Sequence, residues 1–216
     1  RAAPMSGALV GRRVLVTAGP TYEDLDPVRF LGNRSSGKMG FAIAASAARA
    51  GAEVVLIAGP VQLPTPDGVR RVDVRSAAQM HAAVFDALPA DVYIGAAAVA
   101  DFTPAQIAPS KIKKRPGEDG LSLQLVRTRD ILADVAASTP RPTLVVGFAA
   151  ETDDLLANAQ GKLERKNLDW IAANKVSDGF GSETNKVILL SRTGERVDID
   201  TADKKSVAEK ILETVF

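Results

Sequence analysis

The sequence predicts an α/β protein in three layers, with a mostly parallel, doubly wound sheet and helices on both faces. Three observations carry this. Short apolar runs alternate with longer amphipathic ones, small-residue loops follow several of the apolar runs, and one long stretch interrupts the alternation. Parallel strands need a crossover between them, and a helix is the usual crossover.

Residues 13–17 form a buried-strand run closed by Ala18, Gly19 and Pro20. Residues 37–50 are Ala-rich with Met39, Phe41 and Ile43 at helical spacing, and Gly51 stands where a C-cap belongs. A second strand, residues 53–58, is closed by Gly59 and Pro60, and residues 69–74 make a third. Ser76 N-caps a helix to about Leu88, and 91–95 is the next buried strand. Residues 143–147 repeat that pattern, 153–168 read as a helix and 169–173 as a strand. A hairpin about Gly194 joins 186–191 to 195–199, and a helix from about Thr201 closes the chain. This is a Rossmann-like order, in which ligands bind beyond the carboxyl ends of the strands, here the loops after Thr17, Gly95 and Gly147. Residues 104–126 break the alternation and read as a projecting β-arm, two extended segments around a turn.

Length and composition set the bounds. A chain of 216 residues, 46% apolar and 25% charged, fits one domain, taken as residues 12–216 behind a linker remnant at 1–11. A formal net charge of +1 gives no global field for nucleic acid or a membrane surface. With no cysteine, disulfides, thiolate metal sites and a cysteine nucleophile are excluded. No apolar run nears the roughly 18 residues of a spanning helix.

The chemistry-bearing motifs are local. Gly32-Asn33-Arg34-Ser35-Ser36-Gly37-Lys38-Met39 has phosphate-loop spacing, but Met39 replaces the magnesium-binding hydroxyl and the motif lies far beyond its strand. Ser35, Ser36 and Gly37 nevertheless stand at a positive helix start, either an anion site or a plain N-cap. No dinucleotide fingerprint follows the first strand, and neither Tyr22 nor Tyr93 has a lysine four residues on. The single His81 falls inside a predicted helix as a solvated side chain, which argues against a histidine triad. What remains is charge neutralisation. Lys111, Lys113 and Lys114 share the arm, and Lys162 and Lys166 share a helix face, as a polyphosphate ligand would favour.

The ordered blocks Thr17–Thr21, 33–40, 96–102, 111–114, 147–152 and 162–174 resemble phosphopantothenate–cysteine ligase over nearly the whole chain. The resemblance implies a two-step reaction. The carboxylate of 4′-phosphopantothenate attacks the α-phosphate of CTP, releasing pyrophosphate, and the amine of L-cysteine then displaces CMP from the acyl-cytidylate. It implies Asn33 and Lys111 as catalytic residues, Asn33 at the acyl oxygen and Lys111 in converting the intermediate. CTP binding is implied for Gly95, Ala96, Ala97, Asp101, Lys111, Arg129, Asp130, Ile131, Leu132, Phe148, Lys162 and Lys166. Ser35, Ser36 and Gly37 would hold phosphate, and Asp101 is the first candidate for a magnesium ligand. Where the family pattern has Asn-Pro-Asp-Ile, this chain has Thr128-Arg129-Asp130-Ile131. The resemblance further implies a cytoplasmic enzyme of coenzyme A biosynthesis, a homodimer exchanging residues 104–126, and fusion to a flavin-dependent decarboxylase, with no flavin in this domain.

Two other classes predict different residues. A nicotinamide reductase needs a glycine-rich first turn and an acidic residue closing the second strand, where this chain has Ala58-Gly59-Pro60. A non-enzymatic nucleotide-binding module would keep Asp101 and Phe148 without needing Asn33 and Lys111.

Overall fold

A computed structural model describes residues 7–114, 116–117, 119–152, 154–175 and 182–216. The chain begins with β1 (Arg13–Ala18), a small hairpin β2 (Tyr22–Asp24) and β3 (Phe30–Gly32), then α1 (Lys38–Arg49). It continues through β4 (Glu53–Ala58), β5 (Val69–Asp73), α2 (Ala77–Ala87) and β6 (Val92–Gly95). A short ribbon of β7 (Phe102–Pro104) and β8 (Leu125–Arg127) leads to α3 (Ile131–Ala136) and β9 (Leu144–Glu151). Then come α4 (Leu155–Arg165), β10 (Trp170–Lys175), β11 (Thr184–Ser191), β12 (Arg196–Asp203) and the closing helix α5 (Lys204–Val215).

The main sheet has the order β12-β11-β10-β9-β6-β1-β4-β5. It is parallel from β5 to β10, and β11 and β12 add an antiparallel edge. The fold class is the expected one. The chain winds outward from β1 through β4 to β5, then returns to place β6 on the other side of β1. That reversal puts a crevice at the carboxyl ends of β1 and β6.

Strand alternation sorts the core onto two faces. Val14, Val16 and Ala18 point to the side covered by α1 and α5, where Ile43, Ala47, Val207 and Ile211 are buried. Leu15, Tyr93, Val145 and Ile171 point to the side covered by α2, α3 and α4, with Met80, Val135 and Leu163. Small residues let helix α1 lie close: a Cβ on Gly40 would stand 2.5 Å from the Cβ of Ala18. Ser76 caps α2 as expected, in a capping box with Gln79. Gly51, at φ 95°, ends α1 with its N–H on Ala48 and that of Ala52 on Ala47.

Several expectations change in detail. The end of the supposed linker belongs to the fold, because Leu9 is buried and its N–H donates to Ala50. Residues 144–151 form one strand, so Phe148 lies inside β9 opposite Ala172 and not in a loop after it. The helix read at 153–168 is described over 155–165, and β12 runs on to Asp203, which caps α5. Among the described residues, strand pairing at the arm is confined to its base, 102–104 with 125–127, and Leu121 and Leu123 are exposed outside the named strands. His81 is not solvated: it stacks on Phe85 and meets Asp134.

The arm is pinned at its middle by one buried carboxylate. Oδ1 of Asp26 accepts the N–H groups of Val28 and Arg29, both at 2.8 Å, and Oδ2 accepts from Arg29 Nη2 at 2.6 Å and Ile112 N at 3.1 Å. Arg29 Nη2 also donates to the Ile112 carbonyl at 2.6 Å. Burial pushes the Asp26 carboxyl upward, but the Arg29 side chain and the backbone donors outweigh it and hold it well below the usual range. A folded-state value below the unfolded one means that this contribution is complete above the unfolded value, near 3.9, and lost as pH falls through the folded one. Asp26→Ala is expected to release the arm near Ile112, read as faster cleavage between 105 and 124 in limited proteolysis. An unchanged cleavage pattern would show that other contacts hold the arm.

Candidate active site

β6 stops at Gly95 opposite Gly147, whereas β9 runs on beside β10 to Glu151. Beyond that point the sheet splits. Residues 96–101 peel away and are tied to the exit of β1: Ala98 N donates to Gly19 O at 2.9 Å and Ala100 N to Thr21 Oγ1 at 3.0 Å. The two strand-end glycines leave room for α3, since a Cβ on Gly147 would meet the Leu132 and Leu168 side chains at 2.8 Å.

Two cavities flank the split, of about 470 and 300 Å³, and Ala97, Asp101, Phe148 and Lys162 belong to both. Each is within the size of small-molecule sites. The larger holds most of the anticipated nucleotide residues. Gly95, Ala97 and Asp101 come from the β6 exit, and Arg129, Asp130, Ile131 and Leu132 from the start of α3. Phe148 comes from β9, and Lys162 and Lys166 from α4. The smaller has Ser35, Ser36 and Gly37 at the α1 start, with Ala96 beside them. Gly37 takes φ 75° there, and a Cβ on it would stand 3.3 Å from the Gly19 Cα, so both glycines serve this close approach.

Two residues expected to be catalytic lie outside both cavities within the single chain. Asn33 lines neither cavity: its Nδ2 donates to Ala98 O at 2.5 Å and its Oδ1 accepts from Ser35 N at 3.0 Å. It therefore fixes the Ser35–Gly37 turn against the β6 exit. Lys111 is exposed on the arm and also lines neither cavity.

The charges around the shared wall are organised. Lys162 Nζ donates to Phe148 O at 2.6 Å, and Lys166 Nζ pairs with Asp130 at 2.6 Å. Burial, then repulsion from Lys166, lowers the Lys162 pKa, while Glu151, Asp130 and Asp101 pull it back. Burial raises Asp130, but Lys166 and the Ala133 N–H outweigh that and keep it ionised as the N-cap of α3. An anion arriving here would find a desolvated ammonium already placed.

The sequence left several wall residues unassigned. Thr17 and Tyr93 floor the larger cavity, and Thr128 spans its rim, donating from Oγ1 to Ala100 O at 2.6 Å. Lys38, Asn174, Asn185 and Lys204 line the smaller. Lys204 is 7% exposed and donates to Ser182 O at 2.6 Å, and burial followed by the Lys38 charge lowers its pKa. Lys38 pairs with Glu183. Asn174 was readable as a small polar residue closing an apolar strand, but Lys204 reads as a helix-surface lysine until its burial is seen. Among the described residues no cluster of three or more His, Cys, Asp or Glu could hold a metal ion, and no helix is long and apolar enough to cross a membrane.

The family model for the DNA/pantothenate metabolism flavoprotein C-terminal domain matches residues 9–216. The chain belongs to that family. The coenzyme A biosynthesis bifunctional protein CoaBC of Vibrio cholerae is 48% identical over 211 residues, 96% of this chain and 53% of that protein. Its counterpart in Escherichia coli is 51% identical over 189 residues, 85% of this chain and 47% of that protein. The chain thus spans about half the length of the curated relatives it matches. The crystal structure of the C-terminal domain of a CoaBC protein superposes with a TM-score of 0.83 at 40% identity, covering 97% of this chain and 96% of that one. A Cab2 mutant solved in complex with phosphopantothenate-cysteine shares the fold, with a TM-score of 0.77 at 19% identity over 94% of this chain and 86% of that one. Membership of this family agrees with the resemblance read from the ordered sequence blocks, whose family is that of the ligase domain.

Proposed function

We propose that the chain is a phosphopantothenate–cysteine ligase domain, joining 4′-phosphopantothenate to L-cysteine with CTP through an acyl-cytidylate. The observation that carries the reading is a pair of cavities meeting at one wall of Asp101, Phe148 and Lys162. The larger takes the nucleotide between the Gly95–Ala97 backbone, the α3 start and the α4 lysines. The smaller takes the phosphorylated acid, its phosphate at Ser35, Ser36 and Gly37. The carboxylate and the α-phosphate then meet at the wall. The remaining work is alignment and the spreading of phosphate charge, for which Lys162 is a part-buried cation that lines both cavities.

Magnesium fits this site only as a passenger on the nucleotide. It commonly takes one or two carboxylates plus phosphate oxygens and water, and Asp101, between the cavities, supplies one. When bound it would offset triphosphate charge. The arm, with Lys111 exposed on it, is read as the element exchanged in a homodimer, delivering Lys111 to the second copy. The longer relatives are named bifunctional, and the flavin-dependent decarboxylase is read as their other half.

The test is pyrophosphate release with CTP, magnesium and 4′-phosphopantothenate, with and without cysteine, using ATP as the nucleotide control. CTP-selective release that becomes multiple-turnover with cysteine supports the ligase. No release by the folded protein under any condition removes the reading.

Asn33→Asp sharpens the two-step order. A carboxylate cannot donate to Ala98 O and would set an anion against that carbonyl, disturbing the turn at the phosphate subsite. Turnover is expected to fall by about tenfold or more, while CTP binding in the larger cavity persists. Calorimetry and the coupled assay together check this, and unchanged turnover would detach Asn33 from the mechanism.

A further inference from the structure

The smaller cavity has two boundaries of different character. One is the wall of Asp101, Phe148 and Lys162 that it shares with the nucleotide cavity. At the other stand Lys38, the first residue of α1, and Lys204, the first residue of α5. Both also line an outer groove of about 450 Å³ with Phe41, Leu63 and Pro64, and that groove takes no residue from the nucleotide cavity. The two lysines thus mark the end of the smaller cavity that lies away from the shared wall, beside the Ser35–Gly37 turn.

Nothing about the position of Lys204 favours an isolated charge. It is 7% exposed, and as the opening residue of α5 it sets a cation at the positive end of the helix dipole. A buried ammonium is rarely found without compensation. Its Nζ donates to Ser182 O at 2.6 Å, which fixes its place, and after burial the charge of Lys38 lowers its pKa further. Glu183 opposes that shift, but its side chain is 81% exposed and paired with Lys38. On the groove side Asp203 caps α5, accepting from Ser206 N at 3.0 Å and Oγ at 2.7 Å, and Lys205 adds a third cation. Positive charge is therefore in excess at this end of the cavity. An anion placed there would offset both the desolvation and the repulsion between the ammonium groups.

The phosphorylated acid has an anion at each end. Its carboxylate must lie at the shared wall to meet the α-phosphate. Its phosphate, with about 1.5 to 2 negative charges near neutral pH, is the end left for the lysines. We propose that Lys204 and Lys38 are specificity-determining residues: together with the Ser35–Gly37 turn they bind that phosphate, so that the smaller cavity takes the phosphorylated acid in preference to pantothenate. The inference rests on the ligase reading and deepens it.

The experiment measures pyrophosphate release by the full chain with CTP and magnesium, fed 4′-phosphopantothenate or pantothenate, for the wild type, Lys204→Met and Lys38→Met. Loss of one charge-assisted bond to the phosphate is expected to raise KM for phosphopantothenate about ten- to a hundredfold in each variant. The KM for CTP and kcat/KM for pantothenate should stay within about threefold, because neither involves that phosphate. Where pantothenate turns over too slowly, its inhibition constant against phosphopantothenate gives the same comparison. Thermal unfolding checks both variants, and if Lys204→Met does not fold, Lys38→Met carries the test, since its side chain is 31% exposed. An equal loss with both acids, or an unchanged KM for phosphopantothenate, overturns the proposal and leaves the ligase reading in place. No pyrophosphate release by the wild type with either acid overturns the ligase reading and this inference together.

Discussion

Lys162→Met is expected to lower nucleotide-dependent pyrophosphate release by about two to three orders of magnitude, the usual cost of removing one preorganised group from developing charge. The ammonium is largely desolvated, hydrogen-bonded to Phe148 O, and part of both cavities. Methionine keeps an unbranched apolar stem at this position of α4 and removes the charge and its donors. Melting should shift by a few degrees at most in magnitude, roughly what one lost hydrogen bond costs in a domain of this size. Because the Lys162 pKa is lowered on folding, the unfolded chain binds more protons in the interval between the two values, so stability rises with pH there. The variant should lack that rise. Turnover within about threefold of the wild type would move the charge-stabilising role to another cation.

Gly59→Ala should be the most damaging small substitution in the scaffold. A Cβ at Gly59 would stand 1.7 Å from the Pro20 carbonyl oxygen, and both groups are backbone, so neither can rotate away. Relief requires the exit of β1 to move off the end of β4. That exit carries Gly19 and Thr21, which hold residues 98 and 100 at the cavity rim. Overpacking of this kind costs about 3 kcal/mol, or about 6–12 °C in Tm. Gly161→Ala is the control: only the Arg165 guanidinium tip is close, at 2.9 Å, and alanine favours a helix by about 0.8 kcal/mol. If both variants melt alike, the tight Gly59–Pro20 contact is not what sets the geometry.

Periodicity and turn chemistry made most of the sheet legible, because strands buried on both faces and Gly-closed helices leave local signals. The failures have physical causes. Tyr22–Asp24 and Phe30–Gly32 are too short for a period, and the hairpin depends on a Tyr22–Phe30 stack at 4.0 Å that no local pattern encodes. Phe148 was misplaced because Ala149 and Ala150 read as a loop, whereas pairing with β10 extends the strand. The candidate site was proposed by likeness more than by rule. Asp101, Lys162 and Lys166 are ordinary surface types until tertiary packing brings them to one cavity. Lys204 and His81 show the converse: polar side chains whose burial is set by distant partners, Ser182 and Asp134.

The crevice strands β1, β6 and β9 are interior to the sheet, with β5 and β12 as its edges. Amide exchange should therefore be fastest at the two edges and slowest at residues 14–17, 92–95 and 145–147, which open only with the whole domain. Fraying of the β11–β12 hairpin would spare the larger cavity, which takes no residue from it, and disturb the smaller one, which Asn185 of β11 lines. Ligand binding would then slow exchange at the centre by mass action on global unfolding, and the degree of slowing would report affinity without any turnover assay.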